Sequence, residues 1–61
     1  MTPEQERWAE VLAIEKLHGD LAPLFVAERI GALALMGDRG GVARWRDIAA
    51  RLDRLTRRHA L

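Results

Sequence analysis

Glu15 and His18 come nearest, among the residues of this chain, to the types and spacing of a metal site. They form an E-x-x-H pair on a predicted helix, the ligand spacing of carboxylate-bridged metal bundles. One pair cannot complete a site. Only Glu28 offers a plausible additional ligand, and a two-fold dimer would have to double the set. The simpler interpretation is that His18 ends the helix and Glu15 pairs with a basic residue such as Arg29. We therefore expect no metal and no cofactor.

The sequence lacks the side chains that usually act as nucleophiles in covalent catalysis. The chain contains no serine, cysteine or tyrosine, and its hydroxyl side chains are those of Thr2 and Thr56. No stretch matches a nucleophile elbow, a phosphate-binding loop or a dinucleotide fingerprint. The tryptophans, Trp8 and Trp45, are expected to anchor the core rather than to stack on a ligand. These features predict a protein without catalytic residues that is not an enzyme.

Charge is distributed unevenly along the chain, although the net charge is only +1. Residues 1–38 include seven acidic and three basic residues, whereas residues 39–61 contain seven arginines and two aspartates. The basic half could bind phosphates, or it could dock on the acidic half of another subunit. A solvated helix face is the preferred interpretation, because two aspartates each precede an arginine by four residues. The candidate partner or phosphate surface consists of Arg51, Arg54 and Arg58.

The length of 61 residues allows one domain, residues 1–61, with little core. A chain this short buries about 60% of the surface that it exposes when unfolded. Without cysteine it has no disulfide and no thiolate zinc site, so burial in a helical bundle or across a subunit interface must stabilise it. The longest weakly charged run, residues 21–36, is too short to span a membrane, and no signal-peptide pattern opens the chain. We expect a cytoplasmic protein.

Capping residues predict three helices. Thr2, Pro3 and Gln5 form a capping-box signature, and Gly19 can end the first helix, which gives residues 3–18. Gly19 and Gly37 are each followed by an aspartate, and these aspartates, Asp20 and Asp38, could each serve as a helix N-cap. They predict a second helix over about residues 21–36 and a third over about 39–58. The fold class is therefore an all-α three-helix bundle.

Apolar residues exceed what one three-helix core requires. The third helix is amphipathic, the second is apolar almost all round, and Ala27 and Gly31 would let another backbone approach closely. The surplus on the first two helices predicts that a two-fold dimer completes the bundle. The residues expected at its interface are Trp8, Leu12, Phe25 and Ile30.

Residues 26–46 also contain features of a helix-turn-helix. A small residue is followed four positions later by glycine, as in the first helix of that motif, and the segment near Trp45 could serve as a recognition helix. However, the helical pattern continues past Gly31, so the turn comes about five residues late. Two packed antiparallel helices joined by a short turn are the preferred interpretation.

Three segments together resemble a small alphaproteobacterial domain of unknown function: WAEVLAIEKLHGDLAP, VAERIGALALMGD and GVARWRDIAARLDRL. The resemblance covers about residues 8–55 and implies no activity, cofactor or partner. The sequence as a whole predicts a small, non-enzymatic, self-associating protein-interaction module. The alternative is a nucleic-acid-binding regulator that uses the arginine face of the third helix.

Overall fold

Three α-helices make up this protein. The computed structural model describes the backbone of residues 1–60 and the side chains of residues 1–58; Leu61, the last residue of the expected domain, lies outside the described residues. Helix α1 spans Pro3–His18, a 3-10 turn spans Gly19–Leu21, α2 spans Ala22–Leu35 and α3 spans Arg39–Ala60. Residues 1–60 include no β-strand. The predicted all-α three-helix class is confirmed.

Helix α1 begins and ends where the sequence predicts. The Thr2 hydroxyl oxygen accepts a hydrogen bond from the Gln5 amide at 3.1 Å, and the Thr2 amide donates to the Gln5 side-chain oxygen at 3.0 Å. These two bonds complete the capping box, and so supply partners that the first turn of the helix lacks. At the other end, Gly19 has a φ of 54° and its amide donates to the carbonyl of Glu15.

The start of α2 differs from the expectation. Asp20 was predicted to be its N-cap, but Asp20 lies inside the 3-10 turn and Leu21 occupies the N-cap position without a side-chain hydrogen bond. The prediction for Asp20 is wrong because Asp20 is itself part of the 3-10 turn, one residue before the N-cap position. The amide of Ala22 donates to the carbonyl of Gly19, so the backbone of the turn itself provides acceptors.

The second glycine-aspartate pair does cap a helix. Gly37 has a φ of 74°, a conformation that glycine adopts without strain, and the Asp38 carboxylate accepts a hydrogen bond from the Gly41 amide at 2.8 Å. A side chain at Gly41 would not fit, since a Cβ atom there would lie 2.6 Å from the Asp38 carboxylate and 3.1 Å from the Leu33 side chain. Glycine at position 41 therefore leaves room for the Asp38 carboxylate that caps α3.

Helix α2 continues past Gly31 to Leu35, and residues 36–38 connect it to α3. The turn that a helix-turn-helix would place shortly after Gly31 is absent from this segment. Phe25 and Arg29 approach Trp45, and Leu33 approaches Gly41, so later residues of α2 meet earlier residues of α3. The two helices thus run antiparallel.

The core lies where α3 meets the other two helices. Its buried side chains come from α1, α2 and α3, and they are Val11, Ala22, Val26, Ile48 and Leu52. Larger side chains pack around them and stay partly exposed, namely Trp8, Ile14, Phe25, Ile30, Trp45, Ala49 and Leu55. Most of the stability of the fold comes from this burial, at about 25 cal/mol for each Å² of apolar surface removed from water.

Replacing Asp38 with alanine is expected to lower the free energy of unfolding by about 1 kcal/mol, because the Gly41 amide loses its acceptor. The matched control is Asp20→Ala, which alters the same dipeptide where the aspartate caps nothing. We expect that variant to stay within about 0.5 kcal/mol of the wild type. Urea unfolding followed by circular dichroism measures both, and equal effects would contradict the assignment of the cap.

Candidate functional site

A chain of ion pairs joins α1 to α3. The charges alternate along it and the contacts measure 3.3, 3.2, 3.1, 3.3 and 2.6 Å in order. The six residues, in that order, are Glu4, Arg51, Asp47, Arg7, Glu10 and Arg44. Three of the five contacts cross between the helices. Part of the uneven charge is thus matched within one chain, since Glu4 and Glu10 of α1 pair with Arg51 and Arg44 of α3.

Arg51 occupies the interior of this network. Its side chain is only 14% exposed, it pairs with Glu4 and Asp47, and its guanidinium carbon lies 5.4 Å from the centre of the Trp8 ring. Such a cation over an aromatic face is attracted to it. Arg51 therefore does not share a free surface with the two other arginines of the expected phosphate site.

Arg54 and Arg58 lie one turn apart on α3, and both are exposed. Neither forms an ion pair with a described side chain. Arg57, between them in sequence, pairs with Asp53 at 3.0 Å as the four-residue spacing predicts. The structure thus brings together two of the three arginines of the expected phosphate surface, Arg54 and Arg58.

The four residues expected at a dimer interface do not share one surface. Trp8 lies beneath Arg51, and Phe25 packs between His18 and Trp45. Leu12 on α1 is 51% exposed, whereas Ile30 faces the space between α2 and α3. Trp8 and Phe25 are partly buried in the chain's own core.

His18 packs against an aromatic ring. Its ring stacks on Phe25 with the centroids 3.9 Å apart and an angle of 16° between the planes. Trp45 meets Phe25 edge-on at 5.9 Å, and Arg29 lies 5.8 Å from the Trp45 ring centre. His18 is the last residue of α1, as predicted. Among the described residues no three histidine or acidic side chains are close enough to hold a metal ion.

The outward side of α2 carries several exposed apolar residues. Leu24 is 56% exposed and Leu35 is 92% exposed. Between them lie Ala27 and Gly31, both exposed, and no atom lies within 4 Å of the place where Gly31 would carry a Cβ. The close approach that the sequence predicts at these small residues is not made within the chain. These four residues are called the outer face of α2 below.

A shallow apolar groove runs beside this face, between α2 and α3. Four residues from each helix line it: Pro23, Val26, Ala27 and Ile30 on α2, and Ala49, Leu52, Asp53 and Thr56 on α3. Sequence analysis missed it because each helix was considered separately. The sequence does show apolar residues on the side of α3 that faces α2. Predicting the groove from them would also require knowing that α2 packs beside α3.

A family model described as a family of unknown function (DUF6961) matches residues 3–60. The chain belongs to this family. The predicted resemblance to a small domain of unknown function is thereby confirmed for DUF6961, and alphaproteobacterial origin stays a prediction. Neither the curated proteins nor the solved structures include a match to this chain. Within the described part of this DUF6961 domain, no helix has both the length and the apolar character that crossing a membrane requires.

The ion-pair chain predicts a stability effect centred on Asp47. Replacing it with asparagine removes the charge that joins Arg7 to Arg51, and we expect the free energy of unfolding to fall by about 1 kcal/mol at low salt. High salt should reduce this difference, since it screens exposed charges.

The matched control is Arg57→Gln, which breaks an exposed pair within one helix. We expect its effect to stay below about 0.5 kcal/mol. Urea unfolding at about 20 mM and 1 M salt measures both. An Asp47→Asn variant as stable as the wild type at low salt would show that the network contributes nothing.

Proposed function

We propose that this DUF6961 domain is a small self-associating interaction module that acts by binding rather than by catalysis. The outer face of α2 is the observation that carries the proposal. Its two leucines and two small residues occupy an arc of about 80° around the helix, at 100° per residue. Monomeric soluble proteins rarely expose large contiguous apolar patches, and a second protein surface is the usual cover for one.

The groove extends this face onto α3. Ala27 belongs to both, since it also lines the groove, and Pro23 and Ile30 line the groove beside it on the same helix. A specific interface typically buries about 800 Å² on each partner, which one helix stripe does not supply. The outer face and the groove together offer the surface of two helices.

Chemistry supports binding over catalysis. The sequence lacks serine, cysteine and tyrosine, which removes the common covalent nucleophiles. The ionisable groups of the α1–α3 network pair with one another on the surface instead of converging in a pocket. We propose the cytoplasm as the place where the module works.

Light scattering tests the proposal directly. At tens of micromolar, we expect a mass of twice the 6.9 kDa of one chain. Leu35→Glu should shift the mass toward the monomer, because it places a charge on the outer face, and Leu35 makes too few contacts for the fold to depend on it. A wild-type monomer at these concentrations would overturn the proposal.

Leu17→Glu is the matched control. Leu17 is 78% exposed on α1, so the same substitution is made at a similarly exposed leucine on a different helix. We expect the Leu17 variant to remain dimeric. If it dissociates while Leu35→Glu does not, the interface lies on α1 instead of α2.

Arg54 and Arg58 favour a second candidate function, binding to nucleic acid. Their guanidinium groups are exposed, form no ion pair with a side chain of residues 1–58 and lie one turn apart, which suits contacts to neighbouring phosphates. Binding of this kind weakens as salt rises, with a slope set by the number of phosphates contacted.

Fluorescence anisotropy with a labelled DNA duplex separates the two functions. We expect no binding by the wild type at about 200 mM salt. Binding at about 50 mM that falls with a slope of about two, and that is lost in the Arg54→Gln/Arg58→Gln variant, would establish the second function instead. Arg39→Gln, an exposed arginine at the other end of α3, is the control.

A further inference from the structure

We infer that an open cavity at the turn between α2 and α3 binds the phosphate group of a small organic molecule, held between Arg39 and Arg46. The cavity has a volume of about 400 Å³ and is lined by the end of α2, the turn and the first two turns of α3. Sites for small molecules usually measure about 300 to 1,000 Å³. The cavity shares no residue with the outer face of α2 or with its groove, so the inference does not depend on the proposed self-association.

The two arginines lie on one face of α3. Seven positions separate Arg39 from Arg46, which places them about 10 Å apart along the helix and about 20° apart around it. Both residues are exposed and line the cavity. Ala43, which lies between them on this face, is too small to keep their guanidinium groups apart. An anion above Ala43 is therefore within reach of both arginines.

The lining of the cavity carries an excess of positive charge. Neither Arg39 nor Arg46 forms an ion pair with a described side chain. Among the described residues, Asp38 is the only acidic one that lines the cavity, and its carboxylate accepts the hydrogen bond from the Gly41 amide. Two positive charges thus face one negative charge, and an anionic ligand complements the remainder.

A phosphate group uses both arginines better than a carboxylate does. Each guanidinium offers a planar pair of N–H donors that matches two oxygens of one anion. A carboxylate has only two oxygens, and a single arginine occupies both. A phosphate monoester has three terminal oxygens and a charge of about −1.5 to −2 at neutral pH, so it accepts hydrogen bonds from two arginines at once. Two arginines that reach the same point therefore favour a phosphate.

The apolar part of the lining indicates what carries the phosphate. Ala34, Val42 and Ala43 present only hydrocarbon side chains to the cavity, and Val42 is half-buried. Inorganic phosphate would leave these side chains in water, whereas an aromatic or aliphatic group attached to the phosphate would cover them. We expect the ligand to be an organic phosphate whose apolar group is small enough for the cavity.

Titration of the full chain with phenyl phosphate, followed by two-dimensional NMR of the amide groups in a phosphate-free buffer, tests the inference. We expect a saturable change in the amide shifts, largest in residues 37–46, with a dissociation constant in the millimolar range. Phenol keeps the ring but lacks the phosphate, and it should cause no saturable change. Inorganic phosphate should bind at the same residues about tenfold more weakly, because it buries no apolar surface.

Single arginine substitutions locate the site. Arg39→Gln and Arg46→Gln each remove one guanidinium group, and each should raise the dissociation constant for phenyl phosphate about tenfold. Both residues are exposed, so the fold does not depend on them, and circular dichroism checks that the helices remain. The matched control is Arg54→Gln, at an exposed arginine of α3 that does not line the cavity. Its dissociation constant should equal that of the wild type.

Two results would overturn the site itself. One is a wild type without a saturable change in phenyl phosphate. The other is an Arg54→Gln variant that binds as weakly as the two cavity variants, since that would show unspecific attraction to a basic helix.

A DNA duplex, added at about 200 mM salt, distinguishes a small molecule from nucleic acid as the source of the phosphate. We expect the duplex to leave the phenyl phosphate titration unchanged. Displacement of phenyl phosphate by the duplex, lost in the Arg39→Gln and Arg46→Gln variants, would assign the cavity to nucleic acid and overturn the assignment to a small molecule.

Discussion

Ile48 and Leu52 on α3 are buried because α1 packs against one side of that helix and α2 against the other. A chain of 61 residues has little interior, so this shared contact supplies most of the apolar burial that offsets the loss of chain entropy. Helix α3 is therefore the element that the other two require. The positions of the ion-pair network, the aromatic contacts and the groove all depend on how α1 and α2 pack against α3.

The two sides of α3 differ in chemistry. On the α1 side, charged residues surround the core and alternate in sign across the two helices, which fixes how α1 lies without burying an unpaired charge. On the α2 side, the contact is apolar and its outer edge remains open as a groove. A four-helix bundle would fill such a groove with a further helix. In this domain the groove and the outer face of α2 are continuous, and a second copy would cover both.

The two glycine-aspartate pairs show where local sequence suffices and where it does not. Both glycines adopt positive φ, as expected, because that conformation is a property of the residue itself. Only Asp38 caps a helix, however, since Asp20 lies inside a 3-10 turn in which the Gly19 carbonyl accepts the Ala22 amide. The choice between these two outcomes depends on how α1 and α2 pack, and the dipeptide carries no information about that.

The sequence by itself determined the helical class, the ends of α1, the cap of α3 and the amphipathic character of α3, because each depends on residues within a few positions of one another. It also showed a surplus of apolar surface. The tertiary structure decided which apolar residues are surplus: Trp8 and Phe25 turned out to serve the chain's own core, while Leu24 and Leu35 did not. It also decided that Arg51 is held by Glu4, forty-seven positions away, within a network. Contacts between distant segments depend on the relative placement of helices, and helical periodicity specifies which face is apolar but leaves open what that face meets.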